Sequence, residues 1–203
     1  NETGKSQSSG KGRFQDWTKS KNNINICIGC KNDCVYCYMK SMNFGRQKAK
    51  QPGVWNNWEI RQKVVGGPQQ LKDGLVGFPS SHDIFPEILD DYLSVLGKLL
   101  RAGNEVLIVT KPNIECISSI CAVSQFFKDK IIFRFTIGAM DDAILKTWEP
   151  NAPNYEERKA CLKYAFEQEF RTSVSMEPPL DIPNIDKLID DVRPFVNTDI
   201  WLG

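Results

Sequence analysis

No stretch of the chain approaches the roughly 18 consecutive apolar residues that a membrane span needs. The first residues, "NETGKSQSSGKG", hold no apolar core segment of the kind a secretory signal carries. A cytoplasmic protein without a membrane partner is therefore expected. A disulfide framework is missing as well: the seven cysteines are odd in number, and Cys27, Cys30, Cys34 and Cys37 lie too close together to staple distant loops. A reducing compartment and a metal site fit that usage better. Histidine is almost absent, with His82 alone. The chain starts at Asn1 without a methionine and stops at "WLG" with no closing helix, so trimming in front and missing sequence behind are expected.

What is present is globular in composition, 41% hydrophobic and 25% charged over 203 residues, enough for one sizeable core. The charge is uneven. Residues 1–63 carry twelve Lys/Arg against four Asp/Glu, net +8, while the whole chain is +1, which leaves −7 for the remainder. A basic front end suits contact with the phosphates of a nucleic acid or nucleotide, and equally suits a solvated tail. Residues 1–22 are read as a flexible basic tail, and 23–203 as one domain.

From residue 23 onward, short apolar runs alternate with amphipathic helical patterns, the signature of repeated βα units. "NINIC" (23–27) is the first expected strand, followed by the cysteine loop and a short helix over 35–43. Residues 44–73 are polar, Gly/Pro-marked and poorly periodic, an insertion whose Trp55 and Trp58 pack onto the body. Strands are expected at 74–81, 105–110, 131–139, 172–176 and 197–203. Between them, residues 84–103 place Ile84, Ile88, Tyr92, Val95, Leu96 and Leu99 on one helical face, with Pro86 in the first turn and Gly103 past the end. Further helices are expected at 114–128, from Asn154 onward with Glu157 as the reciprocal cap, and at 184–191. Six strands so connected predict an α/β fold, an all-parallel sheet curling into a partial (β/α)6 barrel. In such sheets ligands sit at the C-terminal strand ends.

Thiolates select soft or borderline metals, which leaves zinc and iron–sulfur clusters. Zinc ribbons draw two Cys-x2-Cys knuckles from well-separated hairpins, whereas here the knuckles would be three residues apart. A ferredoxin-type loop runs Cys-x2-Cys-x2-Cys, with a remote fourth ligand. This chain instead reads "ICIGCKNDCVYCYMK", with Cys30-x3-Cys34-x2-Cys37 after the first strand of a βα array and Tyr36 before the last cysteine.

That loop resembles the radical S-adenosylmethionine superfamily. The resemblance implies that Cys30, Cys34 and Cys37 bind three irons of a [4Fe–4S] cluster whose fourth iron chelates S-adenosylmethionine. It also implies reductive cleavage of that cofactor to a 5′-deoxyadenosyl radical, with a reductase, flavodoxin or ferredoxin as electron donor. On this reading Cys27 is a packing residue at a strand end, and Cys116, Cys121 and Cys161, far apart in sequence, are packing residues too.

Most of residues 23–203 further resembles the spore photoproduct lyase-like branch, also labelled DNA repair photolyase-related. The stretches concerned are "GCKNDCVYCY", "SSHDIFPE", "VTKPN", "FRFTIG" and "WEPNAPNYEERKACL". Position by position, this implies that Ser80 or Ser81, Lys111 and Thr136 approach S-adenosylmethionine, with Lys111 pairing its carboxylate. Tyr36 and Tyr38 would frame the adenine or relay a radical. Ser175 and Glu177 follow the fifth strand at the same mouth, where they would touch cofactor or substrate. His82 is expected as a catalytic acid, base or substrate donor, Asp83 as a cap of the following helix, and Glu149 with Arg158 as a structural ion pair. Two departures bear on the substrate. "GFPSSHDIF" lacks the thiol that spore photoproduct lyases use to return a hydrogen atom, and the Gly-Gly-Glu motif general to the superfamily is absent too.

The leading expectation is thus a radical enzyme acting on an unknown substrate, with nucleic acid favoured by the basic front end. A peptide or small metabolite is the alternative. Two other classes stand beside it, a four-cysteine zinc module without catalysis and a fully ligated electron-transfer cluster, and either would require Cys27 as a ligand.

Overall fold

The structure, a computed structural model, describes residues 22–43 and 55–203. Of the basic tail expected over 1–22 only Asn22 falls within them, and the first part of the expected insertion, 44–54, lies outside. In chain order the elements are β1 (Cys27–Ile28), α1 (Tyr38–Asn43), β2 (Glu59–Ile60), α2 (Gln62–Gly66), β3 (Val76–Gly77), α3 (Leu89–Arg101), β4 (Val106–Thr110), α4 (Ile114–Val123), β5 (Ile131–Thr136), α5 (Asp142–Trp148), α6 (Tyr155–Glu167), β6 (Arg171–Met176), α7 (Ile185–Val192) and β7 (Ile200–Leu202). Strands β3 to β7 form one parallel sheet in sequence order. Among the described residues, no helix is long and apolar enough to cross a membrane.

Five of the six expected strands are therefore in the sheet. The first is not: Cys27 and Ile28 pair antiparallel with Ile60 and Glu59. Among the described residues, one backbone bond, from Ile24 N–H to the Gly77 carbonyl at 2.9 Å, fastens that segment to the sheet edge. The alternation of "NINIC" reads as a strand because Ile24 and Ile26 are both buried, but their partner is the supposed insertion. Trp55 is buried and Trp58 packs against Phe85 with ring centroids 5.1 Å apart.

Register divides the sheet into two faces. Val106, Ile108, Phe133, Phe135 and Val174 fall on one, fully buried with Leu96 and Leu99 of α3, Ile117 and Ile120 of α4, and Leu162 and Ala165 of α6. The other face is mixed: Leu107 aligns with Ile132, while toward the C-terminal strand ends Arg134 aligns with Ser173, Thr136 with Ser175 and Ser175 with Trp201. Arg134 reaches Asp199 at 2.7 Å and Ser173 at 2.9 Å there.

Helix ends follow their sequence signals. Asp90 and Asp91 open α3 and Lys98 and Arg101 close it, matching the helix dipole. Asn154 caps α6 by accepting from Glu157 N–H at 2.9 Å. Its reciprocal partner is otherwise engaged: the Glu157 carboxylate accepts from Asn113 and from Ile114 N–H, at 3.0 and 3.1 Å, and so serves the start of α4. Helix α5, capped by Asp141 through Ala143 N–H, is an element the sequence pattern left inside a loop.

Candidate functional site

The cysteine loop begins at Gly29, whose φ of +91° and close approach to Trp55, with a Cβ only 2.7 Å from that carbonyl, exclude other residues. Cys30 N–H donates to the same carbonyl at 2.9 Å. The loop then bends through Asp33, itself at positive φ, and turns at Cys34. Burial lifts the Cys34 thiol to about 11 against the pull of Lys111, and it holds Cys30 well above its ordinary value. Both are thus thiols until a cation displaces their protons. Among the described residues, no three His, Cys, Asp or Glu side chains converge as they would around a single metal ion. Such a group would need thiolates about 3.8 Å apart, from tetrahedral Zn–S bonds of ~2.3 Å.

The turn after β3 is held from two sides. The Asn25 amide oxygen accepts from Ser80 and Ser81 N–H, both at 2.8 Å, and its nitrogen donates to Ser80 Oγ at 3.0 Å. Tyr38, half exposed, donates its hydroxyl to the Ser80 carbonyl at 2.6 Å. His82 is buried; its Nε2 accepts from Ile26 N–H at 3.2 Å and its Nδ1 lies 2.9 Å from the Asp83 carbonyl. Burial, reinforced by Arg61, lowers its pKa to about 4. Both nitrogens are engaged by the main chain, so in this arrangement the ring fastens the turn.

Asp83 caps no helix; it is the hub of the site. Oδ1 accepts from Lys111 N–H at 2.6 Å and from Thr110 Oγ1 at 3.0 Å. Oδ2 accepts from Asn32 at 2.9 Å and lies 3.7 Å from the Cys30 sulfur, which in turn receives Asp83 N–H at 3.3 Å. Burial alone would raise this carboxyl, but Lys111 and the donated hydrogen bonds hold it below its ordinary value.

Lys111 is buried at the end of β4, 3.6 Å from Asp83 and 3.9 Å from Glu149, with Tyr36's ring centroid 5.6 Å away. Burial pulls its pKa down, yet Asp83, with Cys34, Tyr36 and Glu149, keeps it well above the usual lysine value. Its ammonium makes no hydrogen bond to a described residue at these distances. Thr136 and Ser175, aligned neighbours on the second sheet face, are both buried. Glu177 follows on the same side, its carboxyl raised by partial burial.

The remaining wall is the expected ion pair. Arg158 and Glu149 meet at 2.6 Å, both side chains fully buried, and Tyr36 donates its hydroxyl to the other Glu149 oxygen. The structure thus brings Cys30, Cys34, Tyr36, Lys111, Asp83 and Glu149 into one neighbourhood. Ser80 and Tyr38 lie beside it, with the Ser81 side chain making no hydrogen bond to a described residue. Cys27 is in the core with its thiol raised to about 12 by burial. Cys116, Cys121 and Cys161 are fully buried among the helices, and the first two are raised to about 12. Asn25 and Asn32 escaped the sequence reading because a lone asparagine carries no pattern. Asp83 was marked only by its place in a Ser/Asp turn.

No protein-family model matches the chain. An uncharacterized protein of Acidianus two-tailed virus is 25% identical over 181 residues, covering 84% of this chain and 58% of that protein. An uncharacterized protein of Methanocaldococcus jannaschii is 25% identical over 183 residues, covering 86% and 66%. The chain thus spans less than two thirds of the length of these curated relatives. Among solved structures, spore photoproduct lyase complexed with dinucleoside spore photoproduct matches with a TM-score of 0.59 at 14% identity, over 89% of this chain and 54% of that one. A cysteine-to-alanine variant of that lyase, also with the dinucleoside, matches at 0.58 and 13%, over 94% and 59%.

Proposed function

We propose, proceeding from a radical S-adenosylmethionine, spore photoproduct lyase-like fold, that this chain carries the catalytic core of a radical S-adenosylmethionine enzyme. Cys30, Cys34 and Cys37 would hold three irons of a [4Fe–4S] cluster. Bound there, the cluster supplies the electron that cleaves S-adenosylmethionine reductively to a hydrogen-abstracting 5′-deoxyadenosyl radical. The donor set fits: three free cysteines on one short loop, two of them buried beside Lys111.

The observation that carries the reading is the ammonium of Lys111. A buried cation with two carboxylates beyond hydrogen-bond distance and unspent donors is shaped to receive one more carboxylate. The Thr136 and Ser175 hydroxyls, with Glu177 beyond them, would line the same mouth and suit a ribose or amino acid moiety. Ser80, Ser81, Tyr36 and Tyr38 border it from the cysteine side, and Tyr38 is the side chain best exposed to a reacting substrate.

Anaerobic reconstitution should load about four irons per chain, and dithionite with S-adenosylmethionine should then release 5′-deoxyadenosine. Lys111→Met should raise the KM for S-adenosylmethionine at least roughly tenfold, the worth of one charge-assisted contact. A fully loaded protein that releases no 5′-deoxyadenosine would overturn the reading.

For the substrate, a nucleic acid is supported by the +8 front end and by the dinucleoside that the matched lyase holds. Repair by thiol-mediated hydrogen return is disfavoured, since each of the four cysteines outside the trio is buried. Binding of single-stranded DNA or RNA should weaken steeply with salt. Salt-independent binding, or none, would favour a peptide or small metabolite.

A further inference from the structure

We propose that residues 148–151, anchored by Arg158, form a clamp that holds the cysteine loop in shape before any cluster arrives, with Glu149 and Arg158 as positioning residues. The clamp grips the loop at three points. Val35 N–H donates to the Trp148 carbonyl at 2.8 Å, Tyr36 donates its hydroxyl to Glu149, and Asn151 Nδ2 donates to the Lys31 carbonyl at 3.1 Å. These points bracket Cys34 on both sides.

The loop has little else to fix that half. Its own turn bonds, Asp33 N–H to Cys30 and Cys37 N–H to Cys34, are both 3.3 Å long. Lys40, which donates to the Asp33 and Cys34 carbonyls, comes from the helix that follows the loop and so moves with it. Asp83, Asn32 and Trp55 secure Cys30. Among the described residues, the hydrogen bonds that tie the stretch from Cys34 to Cys37 to the body of the protein run to Trp148 and Glu149, beside the Lys111 ammonium 5.6 Å from the Tyr36 ring centroid and the Tyr38 bond to Ser80 just past Cys37.

Arg158 makes the clamp stiff. Among the described residues it is the largest fully buried side chain, and its guanidinium meets Glu149 at 2.6 Å, the Pro153 carbonyl at 2.7 Å and the Thr136 carbonyl at 3.3 Å. One group thereby fixes the clamp's carboxylate, the loop after it and the end of β5. A buried arginine is costly where leucine or methionine would pack as well. Its use is explained if the Glu149 side chain must stay in one position. Glu149 also lies 3.9 Å from Lys111, so the same carboxylate sets the cysteine loop relative to the cationic donor.

The functional meaning of the clamp rests on the cluster-binding reading above, but its test does not. Amide hydrogen exchange is measured on the full chain purified free of iron, for wild type, Tyr36→Phe, Glu149→Gln, Arg158→Met and Arg158→Lys. Loop amides from residues 31–37, Val35 above all, should exchange roughly tenfold or more faster in the first three variants. Peptides from β5 and β6 should be unchanged in Tyr36→Phe, and Arg158→Lys should restore part of the protection. Unchanged loop exchange in Tyr36→Phe and Glu149→Gln would overturn the clamp, as would an equal rise in every peptide. Should Arg158→Met fail to fold, the single hydroxyl lost in Tyr36→Phe still decides. Lost protection supports the clamp even if the loaded protein releases no 5′-deoxyadenosine, the outcome that overturns only the proposed function.

Discussion

Replacing Asp83 by asparagine keeps the side chain's shape and removes its charge. In the native site every neighbour of the carboxylate is a donor: Lys111 N–H and Thr110 on one oxygen, Asn32 on the other, and the Lys111 ammonium at 3.6 Å. An amide must turn its NH2 toward one of these donor sets, and it leaves Lys111 with Glu149 alone at 3.9 Å. Removing one partner of a buried pair costs about 3–5 kcal/mol. Because one carboxylate remains, the lower end, about 3 kcal/mol, is expected, which corresponds to a Tm lower by roughly 6–12 °C. The sign with pH follows from Asp83's depressed pKa. Its contribution is complete above the unfolded value of 3.8 and is lost as pH falls through the lower folded value. The gap between wild type and variant should therefore be full at neutral pH and close in acid. The double variant Asp83→Asn/Lys111→Met should lose less than the sum of its parts, since it leaves no orphaned ammonium. Calorimetry on the iron-free protein measures all three. A variant within about 2 °C of wild type at neutral pH, or a gap indifferent to acid, would refute the hub.

Cys27→Ser should keep the brown cluster of a reconstituted protein while Cys34→Ser abolishes it, read by iron content and visible absorption; equal damage from both would favour a four-cysteine site. His82→Gln should lower stability by about 1–2 kcal/mol through its two main-chain bonds, yet leave the pH profile of 5′-deoxyadenosine release unmoved. A shifted profile would support an acid–base role for His82 instead. Gly138→Ala would place a methyl 2.9 Å from the Pro178 carbonyl and 3.0 Å from Leu180. A loss of about 1–3 kcal/mol is expected, seen as a lower urea midpoint.

The sheet and its helices were legible because they rest on periodicity. The apolar run 105–110 and the face from Ile88 to Leu99 can each bury in only one way. β1 was misplaced for the opposite reason: a two-residue strand has no period of its own, and its partner Ile60 lies in a segment without a recognisable pattern. Within the site, the cysteine spacing and Lys111 at a strand end were readable as chemistry in sequence. His82 attracted a catalytic role as the sole histidine in an active-face turn, yet scarcity says nothing of where two ring nitrogens point. Asn25, Asn32 and Asp83 act by accepting or donating across long sequence separations, and such contacts exist only after folding.

The site contains two buried cations, and access separates their roles more than charge does. Arg158 is fully enclosed and engaged by Glu149, Pro153 and Thr136, so its place is to hold Glu149. Lys111 retains a little exposure and keeps its carboxylates beyond hydrogen-bond distance. Exchanging the two side-chain types would defeat both roles. An arginine at 111 would reach Asp83 or Glu149 bidentately and spend its donors on protein. A lysine at 158 offers a single point of charge where the guanidinium now pairs with Glu149 and donates to the Pro153 and Thr136 carbonyls at once. The chemistry of the two residues thus fits the division between a cation that positions the loop and one that awaits a carboxylate.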